Sequence, residues 1–446
     1  MQDTICAIST PHGTGGIAVI RVSGPEAVSL ADKLFAGKRP LREAQSHTMH
    51  YGRFADLDDV MAGVFRAPHS FTGEDTVEIS CHGSAYIQQE ILHLLCTTGC
   101  RLARAGEFTE RAFLNGRMDL TEAEAVADLI AAESRAAHNL ALSHLRGGIS
   151  HELNILRERL LHFTSLIELE LDFADHEELE FADRSQLSLL ADELETHISR
   201  LLESFKLGNA LKNGIPAAII GPTNAGKSTL LNALAGEERA IVSDEQGTTR
   251  DTIEDVVTLG GVQFRFIDTA GLSQTDHRVE QQGIERSLNA ARRADVILLV
   301  DDASRPSERA KLPAGIDAEG KIIIHVHNKA DLLTARPADK TEEPPYSVYI
   351  AAKQGETDKL KDLLQSRYSH ENNYETVTIS NIRHRDALRR ALNAIQHVKA
   401  GITDNLSGEF MAMDLQDCLQ ALGEITGQIT SQEVLNNIFS RFCIGK

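Results

Sequence analysis

The chain has 446 residues, 42% of them hydrophobic and 25% charged, which is ordinary for globular protein and long enough for about three domains, each with its own core. That excludes a single disulfide-stapled module, and no apolar run approaches the roughly 20 residues needed to cross a bilayer. Lys and Arg total 45 against 65 Asp and Glu, a formal charge of −20, so indiscriminate binding to polyanions is disfavoured and any RNA contact needs basic groups gathered locally.

The opening MQDTICAIST shows no basic stretch followed by an apolar one, so a cytoplasmic location is expected. Cys6, Cys81, Cys96, Cys100, Cys418 and Cys443 form no C-x-x-C pair and are expected as free thiols. Residues 1–117 alternate short apolar runs with turns: TICAIST, GGIAVIRVSG, VMAGVFRAP and TVEISCHG. They predict an α+β domain, with one helix after Gly24 that has Pro25 at its first position and another over Tyr86 to Leu95. Residues 118–212 predict helices. Thr121 and Glu124 pair as a capping box ahead of a long helical stretch ending at Gly147-Gly148. The next helix carries Ile149, Leu153, Leu156, Leu160 and Phe163 on one face, and a third carries Leu187, Leu190, Leu194, Ile198, Leu201 and Phe205.

Over 213–373 strands and helices alternate, through IPAAII, VQFRFID, DVILLV and KIIIHVH, as in a doubly wound sheet, and Gly260-Gly261 predicts a hairpin that makes the sheet mixed. Helical texture returns over 374–446, with Leu388, Leu392, Ile395 and Val398, then Leu415, Leu419 and Leu422. The simplest topology is an α/β domain inserted into a helical bundle. Two charged runs read plainly: Glu168 to Asp183 as a solvated helix end and loop, and Arg383, Arg385, Arg389 and Arg390 as a solvated helix face or an RNA patch.

Gly221-Pro-Thr-Asn-Ala-Gly-Lys-Ser228 satisfies G-x-x-x-x-G-K-[ST] between the strand IPAAII and a helix that opens on Thr229. Asn224, Ala225 and Gly226 then offer converging N–H groups, Lys227 reaches the β and γ phosphates, and the Ser228 hydroxyl suits Mg²⁺. Three further segments follow in the order a GTPase needs. Gly247 to Asp251 presents Thr249 as a switch threonine. Asp268, Thr269, Ala270 and Gly271 end a strand, with Asp268 near the metal and the Gly271 N–H near the γ phosphate. Asn328, Lys329 and Asp331 form N-K-x-D, whose carboxylate can accept from the N1–H and 2-amino group of guanine, donors that adenine lacks. Ala351, Ala352 and Lys353 form the last base-contacting loop.

Leu272 stands where Ras-like enzymes place a water-orienting Gln, so another group must do that work. Asp276 and Glu280 are the carboxylates of that loop, and Glu280 is favoured, though it also suits a helix N-terminus. No Arg is evident as a finger. A monovalent cation beside the phosphates, held by the Asn224 side-chain oxygen and carbonyls from Ser243 to Thr248, would supply the missing charge.

These motifs, together with PHSFTGEDTVEISCHG, RAGEFTERAFLNGRMDLTEAEAVADLI and the C-terminal Phe442 to Lys446, resemble the tRNA-modification GTPase family MnmE (TrmE). The resemblance covers nearly the whole chain, departing in the phosphate loop, where Pro222-Thr223 replaces a proline at the third place. It implies a homodimeric cytoplasmic GTPase that works with an FAD- and NADH-dependent partner protein, in an expected heterotetramer, on the wobble uridine of certain tRNAs. The product carries a 5-carboxymethylaminomethyl or aminomethyl group, with its one-carbon unit from 5-formyl- or 5,10-methylenetetrahydrofolate. It also implies K⁺-promoted pairing of nucleotide domains. K⁺ would be held by Asn224, Ser243, Glu245 and Thr248, Mg²⁺ by Ser228 and Thr249, and GTP additionally by Asp244, Gln246 and Gly247. Folate would meet Arg21, Glu78, Arg117 and Lys446; Arg117 stands where relatives often have Lys. Cys443 is a candidate for chemistry at the modification site, or else a half-buried helical thiol. The domains are then a tetrahydrofolate-binding and dimerisation domain (1–117), a helical domain in two parts (118–212 and 374–446) and the inserted GTPase domain (213–373). The rival readings are a non-enzymatic GTP-controlled RNA or ribosome-assembly switch and a stand-alone folate-dependent aminomethyl transferase. Metal sites at His82 with Cys81, or at His93 with Cys96 and Cys100, lack a fourth ligand.

Overall fold

The computed structural model describes residues 3–172, 183–236, 254–267, 288–368, 377–404 and 408–445. Two compact units emerge. One comprises Met1–Ala127, His144–Ala191 and Asn393–Lys446; the other comprises Asp128–Ser143 and Asp192–Leu392.

In the first unit, β1 (Ile5–Ile8), β2 (Ile17–Ser23), α1 (Ala27–Leu34), β3 (Phe35–Gly37), β4 (Thr48–Phe54), β5 (Asp58–Phe65), β6 (Thr76–His82), α2 (Ala85–Thr98) and β7 (Arg101–Leu102) build a seven-stranded sheet of order β3-β4-β5-β6-β2-β1-β7 with two helices. Strand alternation sorts the side chains. Ala18, Ile20 and Val22 of β2 join Val77 and Ile79 of β6 in the core shared with α1 and α2, while Arg21 pairs across the ladder with Glu78. Gly24 (φ +139) turns the chain into α1, which begins at Ala27 after Glu26, so Pro25 precedes the helix instead of opening it. The second helix runs three residues beyond its expected end, to Thr98.

The next helix, α3 (Glu107–Leu114), buries a charge network beside β1. Arg111, 1% exposed, donates to the Asp3 carbonyl (2.9 Å) and pairs with the carboxylates of Asp3, Glu74 and Glu107. Burial raises the Glu107 pKa, but bonds from Arg101, the Arg104 N–H and Arg111 outweigh it and leave the carboxyl at about 2.

The capping box of α4 (Leu120–Ala131) differs from expectation. Asp119 Oδ1 accepts from the Glu122 N–H (2.9 Å) and Glu122 Oε2 accepts from the Asp119 N–H (2.8 Å), whereas Thr121 turns its hydroxyl to Asp119 and Ser150. The long stretch is also two helices, because Ser134 accepts from the Ala137 N–H (3.1 Å) and starts α5 (Arg135–Leu145). In α6 (Gly148–Asp172), Ile149, Leu153, Leu156 and Leu160 are buried as expected; Phe163 is half-buried and Ile167 continues the buried stripe. Leu187, Leu190, Leu194, Ile198 and Leu201 are buried along α7 (Arg184–Asn213), with Phe205 half-buried.

The second unit contains β8 (Ile215–Ile220), α8 (Lys227–Ala235), β9 (Glu254–Leu259), β10 (Val262–Ile267), β11 (Val296–Asp302), β12 (Ile322–Asn328), β13 (Tyr346–Tyr349) and α9 (Asp358–Tyr368). The sheet order is β13-β12-β11-β8-β10-β9, parallel except for the β9–β10 hairpin, whose Gly260 and Gly261 take φ +58 and +82. Leu298 and Val300 of β11 face one core and Ile297 and Leu299 another, the two-sided burial that a covered parallel sheet requires. The chain continues in α10 (Ile382–Thr403), α11 (Gly408–Thr426) and α12 (Gln432–Phe439); α11 packs along α6 within the first unit.

Candidate nucleotide site and its relatives

The phosphate loop lies where its motif requires, between the end of β8 and the first residue of α8. Space dictates its glycines: a Cβ at Gly221 would overlap the Val300 carbonyl oxygen, and one at Gly226 (φ +90) would overlap the Asn328 side chain. Asn224 also takes a left-handed conformation (φ +64), which turns successive N–H groups toward one point. Lys227 donates its ammonium to the carbonyls of Gly221 and Pro222, both at 2.9 Å, and burial lowers its pKa. An arriving phosphate offers that ammonium a stronger acceptor than either carbonyl. Ser228 and Thr229 are exposed on the first turn of α8, and the Asn224 side chain is exposed with no hydrogen-bond partner among the described residues.

The N-K-x-D motif is bound directly to this loop. Asn328, the last residue of β12, donates from Nδ2 to the Ala225 carbonyl (3.0 Å) and accepts at Oδ1 from the Ala352 N–H (3.1 Å). Lys329 (φ +60) donates to the Asn224 carbonyl (2.8 Å). Asp331 is exposed on the turn that follows, where Gln354 approaches its Oδ2 at 3.3 Å. Ala351 and Ala352 are buried and Lys353 is exposed. Thus Asn224 to Thr229, Asn328 to Asp331 and Ala351 to Lys353 meet at the C-terminal edge of the parallel strands, the edge where ligands bind in such sheets. The expected ligands from Ser243 to Thr249, those from Asp268 to Gly271, and Glu280 lie outside the described residues, although β10 ends at Ile267, immediately before Asp268. Sequence reasoning missed Asp302, which ends β11 and pairs with Lys329; its signal was a carboxylate at the C-terminal end of a central parallel strand.

In the N-terminal part, Arg21 and Glu78 are paired with each other: Nη2 and Nε lie 2.8 and 2.9 Å from Glu78 Oε1. The guanidinium lies 5.1 Å from the Phe71 ring centroid and 5.6 Å from that of Phe108, aromatic neighbours that the sequence did not single out. Arg117 is exposed, its stem beside Gly73. Cys443 is exposed beyond α12, so it is not a half-buried helical thiol. The peptide around it is bound to the N-terminal part of its own unit: Ile444 bridges Ala105, the Gly445 carbonyl accepts from Ser9 Oγ (3.0 Å), and the Cys443 carbonyl accepts from the Gly106 N–H (3.4 Å). Lys446 lies outside the described residues. Of the arginine run, Arg389 and Arg390 are exposed, but Arg383 and Arg385 are half-buried, and Arg385 lies over Phe205 and pairs with Asp386 at 2.8 Å.

Two family models divide the chain between them. The GTP-binding protein TrmE N-terminus matches residues 4–117, and the MnmE helical domain matches residues 120–443. The chain belongs to the MnmE family of tRNA modification GTPases. The tRNA modification GTPase MnmE of Parabacteroides distasonis is 51% identical over 461 residues, and that of Bacteroides thetaiotaomicron 50% identical over 466, each covering 100% of both chains. The G domain of the T. maritima FeoB iron transporter is 24% identical over 35% of this chain and 99% of that one, at a TM-score of 0.25, and adds nothing to the full-length relatives. MnmE membership agrees with the three architectures seen: an α+β N-terminal part, helices, and an α/β sheet with a phosphate loop.

Proposed function

We propose that the chain is a K⁺-stimulated GTP hydrolase that acts as a cytoplasmic homodimer with an FAD- and NADH-dependent flavoprotein to install a 5-carboxymethylaminomethyl or aminomethyl group on the wobble uridine of certain tRNAs. The observation that supports the GTPase half is the direct bonding of Asn328 and Lys329 to the phosphate loop, which joins the two motifs at one edge of the sheet. The tRNA half rests on full-length similarity to relatives named for it.

In this reading Lys227 leaves its two carbonyls for the β and γ phosphates, and Asp331 holds the guanine edge. Ser228 and Thr249 would hold Mg²⁺. Asn224, Ser243, Glu245 and Thr248 would hold K⁺, and the exposed amide oxygen of Asn224 and hydroxyl of Ser228, without hydrogen-bond partners among the described residues, are the hard donors such ions take. Bound there, K⁺ supplies positive charge beside the phosphates. Glu280 orients the attacking water. Arg21, Glu78, Arg117 and Lys446 form the folate site: Glu78 exchanges Arg21 for the amide and amino edge of the pterin, and the cations face the glutamate tail. Cys443, exposed on a peptide bound to the same part of the fold, takes part at the modification site. Residues 1–117 are the folate-binding and dimerisation domain, 118–212 with 374–446 the helical domain, and 213–373 the GTPase domain.

Mass spectrometry of tRNA nucleosides tests the proposal. Cells lacking the gene lose the modified wobble uridine and regain it on complementation. An unchanged nucleoside profile with accumulating ribosomal precursors establishes the assembly-switch reading instead.

A further inference from the structure

Asp302 is the last residue of β11, is 9% exposed, and stands in register with Asn328 on β12. Its Oδ2 lies 2.7 Å from Lys329 Nζ, while Oδ1 accepts from the Ser304 N–H (3.0 Å) and hydroxyl (2.6 Å). The Ala303 N–H donates to the Asn328 carbonyl (2.8 Å), so backbone and side chain together fix the carboxylate against the N-K-x-D motif. The same Lys329 ammonium donates to the Asn224 carbonyl (2.8 Å). A continuous chain of carboxylate, ammonium and carbonyl therefore runs from the end of β11, through the N-K-x-D motif, to the one non-glycine residue of the phosphate loop with a positive φ.

A lysine has three donors on a flexible stem, and it stays in one geometry only when its acceptors hold it there. Without the carboxylate, the ammonium is free to turn to solvent or phosphate, and the Asn224 carbonyl loses its partner. That carbonyl belongs to a residue whose left-handed conformation costs on the order of 1 kcal/mol unless its surroundings maintain it. Its orientation decides whether the following N–H groups converge on phosphate and where the Asn224 side chain points.

We propose that Asp302 is a positioning residue of the nucleotide site, holding Lys329 so that occupancy by a guanine base and the shape of the phosphate loop rise and fall together. The inference deepens the GTPase reading and rests on it. Asp302 touches no nucleotide; it acts through Lys329.

The test uses the full-length protein and N-methylanthraniloyl-GDP, with release followed by fluorescence after addition of excess GDP. Asp302→Ala should speed release about tenfold, and Asp302→Asn, which keeps an oxygen but loses the charge, should fall between it and the parent. In a Lys329→Met background the Asp302→Ala effect should vanish, because its target is gone. The K⁺ concentration for half-maximal hydrolysis should rise several-fold in Asp302→Ala, whereas a merely destabilised fold lowers the amplitude and leaves that midpoint in place. Release within twofold of the parent in Asp302→Ala, or an equal effect with and without Lys329, overturns the inference. Failure of the unaltered protein to bind the probe overturns the nucleotide reading itself. If Asp302→Ala does not fold, the isosteric Asp302→Asn with and without Lys329→Met decides the question alone.

Discussion

Asn224 combines two roles that are separable by substitution. Its backbone, at φ +64, shapes the phosphate loop and is bonded by Lys329, while its side-chain amide is exposed and has no hydrogen-bond partner among the described residues. Asn224→Ala loses the amide oxygen and strains the backbone; Asn224→Gly loses the oxygen and relieves the strain. If the oxygen is a K⁺ ligand, both variants lose K⁺ stimulation of hydrolysis and keep GTP affinity within about tenfold. A glycine variant that still responds to K⁺ removes Asn224 from the ion's shell. The motifs at this scale were legible because each is contiguous in sequence, and the structure brings the phosphate loop and N-K-x-D together. Asp302 and Phe71 were not, since their partners Lys329 and Arg21 are distant in sequence and adjacent only once strands pair.

At the scale of elements, periodicity located the helices well and their ends poorly. Apolar spacing identifies a buried stripe such as Leu187 to Leu201, but a terminus is decided by which side chain reaches an unpaired N–H, and Asp119 and Ser134 outcompeted the expected Thr121. The hairpin at Gly260-Gly261 was readable because few other residues tolerate two consecutive positive φ values. No local signal announced that the peptide around Cys443 would lie on β1, since the bonds run between residues hundreds of positions apart. Gly445 makes that approach possible: at φ +95, a Cβ there would overlap the Ile8 carbonyl. Gly445→Ala should therefore release the segment. Deuterium uptake should rise at residues 441–446 and at Ile8 and Ser9, and affinity for a folate analogue should fall about tenfold while GDP affinity is unchanged. Undiminished folate binding would separate the terminal peptide from that site.

At the scale of the molecule, a formal charge of −20 sets copies of the chain against one another. Pairing of nucleotide domains then has to overcome that repulsion, and the proposed K⁺ shell is where compensation enters. Specific GTPase activity in K⁺ should rise with protein concentration toward a plateau, and stay low and flat in Na⁺, as read by phosphate release over a dilution series. Activity independent of dilution would mean that each copy completes its own site. Composition, which is read along the chain, does not show that the first compact unit draws on three separate stretches and the second on two.

That interleaving has a temporal side. The stripe of Ile149, Leu153, Leu156 and Leu160 leaves the ribosome with α6, but α11, the helix packed along α6, is translated only after the entire nucleotide-binding sheet. Throughout that interval the nascent polypeptide carries apolar surface whose cover from α11 does not yet exist, the kind of transient exposure that chaperones shield.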